Sequence, residues 1–273
     1  MAGLTETENT MMRPQKDNKP LVMVALNGAR RGKDSHAQIP LTTQEIVEET
    51  IACSKAGADA LHLHIRDKKR QHSLDPGRYR ETLLEIETAL PGFPVQVTTE
   101  AAGRFDVETQ LDCLRELNPA EASISVREMT RDLDLAPRVY GLCSDAGIHV
   151  QHILYSMDDW QQLQDWWNAG IVCHDQVDVI VVLGQYAPAR HATIEDLAAA
   201  APIFDAAPGC CMVCAFGHNE HHVLLAAATR GCDLRIGFEN NIHAVDGTLA
   251  PSNAAQVASL RSALPSIALE GIY

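Results

Sequence analysis

The sequence contains no uninterrupted apolar run near the roughly 20 residues that a membrane-crossing helix requires, and this excludes a spanning helix. Residues 1–20 (MAGLTETENTMMRPQKDNKP) have no apolar signal core. The expectation is a polar tail ahead of a cytoplasmic protein. Base is scarce: 22 Lys and Arg face 36 Asp and Glu, for a formal charge of −14. That imbalance argues against a nucleic-acid backbone or an anionic membrane as the main partner and fits a solvated acidic surface. No linker, composition break or low-complexity tract interrupts residues 21–273, which read as one domain. A dinucleotide fingerprint is also missing, because Asn27-Gly28-Ala29-Arg30-Arg31-Gly32 does not supply G-x-G-x-x-G after the first strand. Cys211 and Cys214 have the spacing of a redox or zinc pair, but no second pair is placed to complete a site. Most of the eight cysteines lie inside apolar runs such as Ile51-Ala52-Cys53 and read as small, reduced core residues.

What is present is alternation. Eight short apolar or β-branched runs, at 21–28, 60–67, 95–100, 121–126, 149–156, 177–184, 210–217 and 233–240, are separated by segments with helical spacing such as 42–58, 75–90 and 252–266. Thr42 or Thr43 followed by Glu45 has the form of a helix N-cap with an acidic first turn. Gly57, Gly147, Gly170 and Gly231 each close a helical run just before a strand, where a left-handed glycine belongs. Eight strand-then-helix units in 273 residues predict an α/β fold, a (β/α)8 TIM barrel.

Catalytic groups in such a barrel sit at the C-terminal ends of the strands. Within ALHLHIRD, His62 and His64 share parity and face the barrel mouth, while Leu61, Leu63 and Ile65 face the helices. Two imidazoles so placed can hold one ion, although His-x-His alone also fits two histidines satisfied by hydrogen bonds. On the eighth strand Arg235, Gly237 and Glu239 share parity, with Glu239 nearest the C-terminal end. Glu239 therefore completes a candidate His2Glu set for a divalent ion, zinc first, with a coordination position left open.

The segments NGAR (27–30), AGADALHLHIRD (56–67), QVTT (96–99), ASIS (122–125), VVLG (181–184), RIGFENN (235–241) and SNA (252–254) together resemble the β-keto acid cleavage enzymes, of which the 3-keto-5-aminohexanoate cleavage enzyme is the model. The resemblance runs in order over nearly all of residues 21–262. It implies a zinc-containing barrel that cleaves a small β-keto acid with acetyl-CoA in a retro-Claisen manner, giving acetoacetate and a new acyl-CoA, in a homo-oligomer. His62, His64 and Glu239 fall on the family's metal ligands and Arg235 on its active-site arginine. Thr98 and Ser123 fall on hydroxyls that line the pocket. Arg235, Thr98 and position 240 are thus the expected catalytic positions, and Asn27, Arg30, Ser123 and Gln151 the expected substrate contacts.

The departures are equally specific. The family's proton-transferring aspartate is Asn240 here, and its supporting glutamate on the fifth strand is replaced by Gln151 or lost beside Ile153; neither amide is a base at neutral pH. The usual glycine pair after the third strand is replaced by Glu100-Ala101-Ala102. Arg30 stands where members acting on amino-keto acids carry a carboxylate, which argues against a cationic substrate. Two other functions remain open on these residues: a degenerate barrel that keeps its ion and only binds a ligand, and a metal-assisted hydrolase. Elsewhere the plainer reading leads. His218 and His222 open a helix, and Trp160, Trp166 and Trp167 are core or subunit-contact residues. Asp67 either orients His64 or caps the following turn.

Overall fold

The computed structural model describes residues 19–186 and 188–267. The polar tail expected over 1–20 lies outside them as far as residue 18, as do the last six residues of the 21–273 region. Eight parallel strands close on one another. They are β1 (Val22–Ala25), β2 (Ala60–Leu63), β3 (Val95–Thr98), β4 (Glu121–Ser125), β5 (His149–Leu154), β6 (Asp178–Leu183), β7 (Cys211–Ala215) and β8 (Asp233–Ile236). Each strand pairs with its sequence neighbour, and β8 returns to β1 through Met23↔Arg235. All eight fall within the runs anticipated from alternation, so the chain is a (β/α)8 barrel.

The principal helices are α1 (Thr43–Lys55), α2 (Pro76–Ala89), α3 (Val107–Leu117), α4 (Ala136–Ala146), α5 (Met157–Asn168), α6 (Ile194–Ala199), α7 (Glu220–Thr229) and α8 (Asn253–Ile267). Local chemistry starts and stops them. Thr42 accepts from the Glu45 N–H while Glu45 Oε2 accepts from the Thr42 N–H, a full capping box. The four anticipated helix-closing glycines all have positive φ, 68° at Gly147 for example. No helix among the described residues is long and apolar enough to cross a membrane.

Strand parity sorts the core into two layers. Val22, Val24, Leu61, Leu63, Val97, Ile124, Val150, Val179, Val181, Val213 and Leu234 face outward into the shell beneath the helices. Met23, Ile153, Ile180, Val182, Met212 and Cys214 form a second cluster inside the barrel. Trp160 and Trp166 are buried in the outer layer with Trp167 packed against it, as their spacing on α5 foretold. Cys211 and Cys214 are free thiols, with Cys214 pointing into the barrel.

At the N-terminal end of the barrel, His149 is clamped between two carboxylates, with Nε2 3.0 Å from Asp178 and Nδ1 3.6 Å from Glu121. Those hydrogen bonds, Asp178 first, raise its pKa from 6.5 to about 9. The folded state therefore holds this proton more tightly than the unfolded chain. The resulting stabilisation is complete below pH 6.5 and fades as pH rises through about 9. Half-exposed, the clamp is weakened by solvent. His149→Gln should lower the thermal midpoint by no more than roughly 2–4 °C at pH 6, and the gap from wild type should close by about pH 10. Midpoints measured across that range check both statements.

Candidate active site

The first metal-ligand candidates come from β2. The strand ends at Leu63, and Ile65–Arg66 then turns to pair with His72–Ser73 as a small antiparallel hairpin. His64 therefore stands just past the strand, in the unpaired gap, yet it keeps the facing that parity assigned to it. The Nε2 atoms of His62 and His64 are 3.1 Å apart, and both rings are buried.

Glu239 reaches them by a route that parity did not describe. Strand β8 ends at Ile236, so Glu239 is not on a strand at all. Gly237 adopts φ 142°, and a Cβ there would lie 2.4 Å from the Ala25 carbonyl oxygen. Only glycine lets β8 pass β1 this closely. A tight turn follows, closed by the N–H groups of Asn240 and Asn241 on the Gly237 carbonyl at 2.8 and 3.0 Å. That turn, rather than strand alternation, swings Glu239 inward. Its carboxylate lies 3.4 Å from His64 Nε2 and 3.9 Å from His62 Nε2. Gly28 leaves the room, since a Cβ there would fall 2.7 Å from Glu239 Cγ.

The cluster fits a divalent cation. One ligand atom from each of His62, His64 and Glu239 lies within 4.8 Å of the others, the one such group among the described residues. Two nitrogens bound tetrahedrally to one ion at about 2.05 Å sit roughly 3.3 Å apart, close to the observed separation. Glu239 Oε2 and His64 Nδ1 are buried without hydrogen-bond partners. Burial by itself would raise the Glu239 pKa, but His64 and the Arg235 guanidinium hold it well below the usual carboxylate range. Desolvation, reinforced by Arg235, pushes His62 well below its ordinary value, so its imidazole is neutral, as a ligand must be.

The sequence reading missed the group that orients His62. Gln96, its register partner on β3, accepts from His62 Nδ1–H at 2.8 Å through Oε1. The amide cannot be turned the other way, because its NH2 donates to the Glu121 carboxylate at 2.8 Å and to Gln151 Oε1 at 3.1 Å. The proton of His62 is thereby kept on Nδ1, and the lone pair of Nε2 faces Glu239 and His64. A glutamine in phase with Thr98 inside an apolar strand was the available signal.

Around this centre the anticipated residues take distinct positions. Arg235 is buried, with Nη2 3.6 Å from the Cys214 sulfur and with Nε and Nη1 unpartnered. Asn240 is fully buried; Nδ2 is 3.4 Å from the Arg235 carbonyl and Oδ1 has no partner. Thr98, Ser123 and Gln151 stand side by side across β3, β4 and β5. Ser123 Oγ is buried and unpartnered, while Thr98 Oγ1 accepts from the Glu100 N–H at 3.0 Å. Asn27 fastens the mouth, donating to the carbonyls of Pro40 at 2.8 Å and His64 at 3.4 Å. Asp67 caps the hairpin turn through the N–H groups of Lys69 and Gln71.

Two further groups enter from loops. Arg30 lies at the rim, 3.7 Å from Glu100, a mostly buried carboxylate that stands where the glycine pair was expected. Burial raises the pKa of Glu100, with His64 opposing and Glu239 adding to the rise. Tyr186, between β6 and α6, donates its hydroxyl to the Glu239 carbonyl and packs on Phe216 with ring centroids 4.5 Å apart. Nothing in loop composition pointed to Tyr186.

Comparison with known proteins shows the family and the fold. A family model described as beta-keto acid cleavage enzyme matches residues 19–270. The chain is 32% identical over 120 residues to a 3-oxoadipate:acetyl-CoA acetyltransferase of Cupriavidus necator, a match that spans 44% of this chain and 40% of that protein. It is 23% identical to a 3-keto-5-aminohexanoate cleavage enzyme of Fusobacterium nucleatum over 88% of this chain and 89% of the relative. A 3,5-dioxohexanoate:acetyl-CoA acetone transferase of Paraburkholderia graminis is 24% identical over 92% of each. Among solved structures, ObcA in ternary complex with a C4-CoA adduct and oxalate superposes with a TM-score of 0.60 at 14% identity, covering 84% of this chain and 64% of that one. A type I 3-dehydroquinate dehydratase of Clostridium difficile gives 0.62 at 11% identity, covering 91% and 93%. These structural likenesses establish the barrel.

His64→Ala should abolish most divalent-ion binding while leaving the helical circular dichroism intact. Gln96→Leu should weaken ion affinity roughly 10–100-fold, since it frees the tautomer and rotation of His62. Titration of the metal-stripped proteins against a chromophoric chelator measures both, and unchanged affinity in Gln96→Leu would remove Gln96 from the site.

Proposed function

The chain belongs to the β-keto acid cleavage enzyme family, and from that premise we propose that it cleaves a small β-keto acid with acetyl-CoA, giving acetoacetate and an acyl-CoA. The observation that carries this reading is the convergence of His62, His64 and Glu239 beside a buried guanidinium, Arg235, with two unpartnered nitrogens. His62, His64 and Glu239 would hold a divalent ion, zinc in this reading, which would supply Lewis acidity when bound. The acetyl-CoA-using relatives support the co-substrate. The assembly is a homo-oligomer in the cytoplasm.

Arg235 holds the substrate carboxylate through Nε and Nη1, a paired contact that its burial strengthens. The proton between keto and carboxylate carbons then goes to Glu100. Its raised pKa brings it nearer to working pH, and Thr98 and Arg30 fix its backbone and its carboxylate. The freed carbon attacks the acetyl carbonyl and expels the CoA thiolate. That thiolate attacks the original keto carbon, the carbon–carbon bond breaks, and Glu100 returns the proton to acetoacetate. All atoms of the two substrates appear in the two products. Asn240 and Ser123 offer hydrogen bonds to the substrate rather than proton transfer, and Gln151 steadies Gln96. Asn27 shapes the mouth.

Metal-loaded protein incubated with acetyl-CoA and a panel of β-keto acids should release acetoacetate, and none from any of them would leave an ion-holding barrel without this activity. Glu100→Gln should lower kcat by roughly 10²–10⁴-fold, whereas Asn240→Asp should bring no gain. A rise in kcat in Asn240→Asp with an unaffected Glu100→Gln would return the base to position 240. Across the panel, keto acids with a neutral or anionic distal group should have the higher kcat/KM, because an ammonium entering past Arg30 meets like charge.

A further inference from the structure

A cavity of about 390 Å³ opens beside the barrel mouth, between the β2 hairpin and the starts of α1 and α2. Its charge runs against that of the chain. Arg66, Lys68, Arg70 and Arg78 line it, opposed only by Asp67 and Glu81, a local surplus of 4 − 2 = +2 in a protein of net charge −14. Among the described residues, none of these four cations has a carboxylate within ion-pair distance. The Asp67 carboxylate already serves the hairpin turn through two backbone N–H groups.

Arg66 is the informative member. It is only 7% exposed, yet its guanidinium meets carbonyl oxygens alone: Asn27, Gly28 and Arg31 on Nη2, and Arg70 on Nη1 at 3.3 Å. Its Nε is buried with no partner. Carbonyl dipoles, and Glu100 and Glu239 from beyond ion-pair distance, offset its charge, but no carboxylate meets it directly. Thr42 and Thr43, at the start of α1, complete the wall. The cavity also shares a wall with the reacting centre. Arg66 lies two residues beyond His64 and holds the Gly28 carbonyl, and Gly28 packs against Glu239.

We propose that this cavity is a phosphate subsite that takes the phosphorylated adenosine end of acetyl-CoA. Lys68, Arg70 and Arg78, backed by the buried Arg66, match a ligand with a 3′-phosphate and a diphosphate, and the space exceeds that of a single phosphate ion. The assignment rests on the acetyl-CoA reading above, and direct binding separates the two. Adenosine 3′,5′-bisphosphate titrated calorimetrically into metal-loaded protein should bind, and it should raise the KM for acetyl-CoA. Lys68→Glu/Arg70→Glu, both at exposed turn positions, should weaken that binding at least about tenfold. Glu81→Gln, which removes a negative wall charge, should tighten it. No binding to wild type, equal binding to the double variant, or binding of inorganic phosphate alone would overturn the subsite. Bisphosphate binding that behaves as expected in a protein that cleaves no keto acid would uphold the subsite and remove the proposed activity. Acetyl-CoA turnover without bisphosphate binding would do the reverse.

Discussion

Closure of the barrel between β8 and β1 brings two backbones together at a point where no side chain fits. The position a Cβ would take on Gly237 is 2.4 Å from the Ala25 carbonyl oxygen, and the Glu239 N–H then donates to that same oxygen at 3.1 Å. The chain must leave the strand here, and the turn it makes carries Glu239 over His62 and His64. Phe238 is pinned from behind by Asn253 Oδ1 at 2.7 Å, and Asn253 also donates to the Leu26 carbonyl at 3.3 Å. The first residue of α8 thus locks the seam that positions the carboxylate. The three ligand atoms meet because the seam is tight, and a looser closure would leave Glu239 in solvent.

The polar interior extends this order downward. From His62 a chain of hydrogen bonds runs through Gln96 to Glu121, whose other neighbour is the charged His149 at the far end of the barrel. Each member has one workable orientation, because Glu121 can only accept and His149 carries its proton. The end of the barrel remote from the chemistry therefore sets the tautomer of a residue at the mouth. The departures at 151 and 240 also become intelligible in this setting. Gln151 joins the amide network beneath the centre, Asn240 lies buried against the Arg235 carbonyl, and Glu100 stands 3.7 Å from Arg30 at the rim.

Charge is distributed by the same logic. An acid-rich chain buries Arg66 and Arg235 around its mouth, and among the described residues neither has a carboxylate within ion-pair distance, though Glu239 lies near enough to act on both. Two desolvated guanidiniums in one region are a liability for folding alone.

The eight strands, the capped helices and the inward facing of His62 and His64 were legible in the sequence, because alternation with period 2, capping residues and helix-closing glycines act within a few neighbours. Strand parity offered Glu239 as their partner, and the resemblance added the role of Arg235. Parity placed Glu239 correctly for a reason that does not operate, since the strand ends three residues earlier and a glycine turn does the work. Gln96 was within reach of the same periodicity, as a polar residue in phase with Thr98. Glu100 against Arg30, Tyr186 over Glu239, and the buried Arg66 were decided only by tertiary structure. Each depends on the path of a loop between distant strands, and loop paths follow from contacts across the closed barrel rather than from any repeat along the chain.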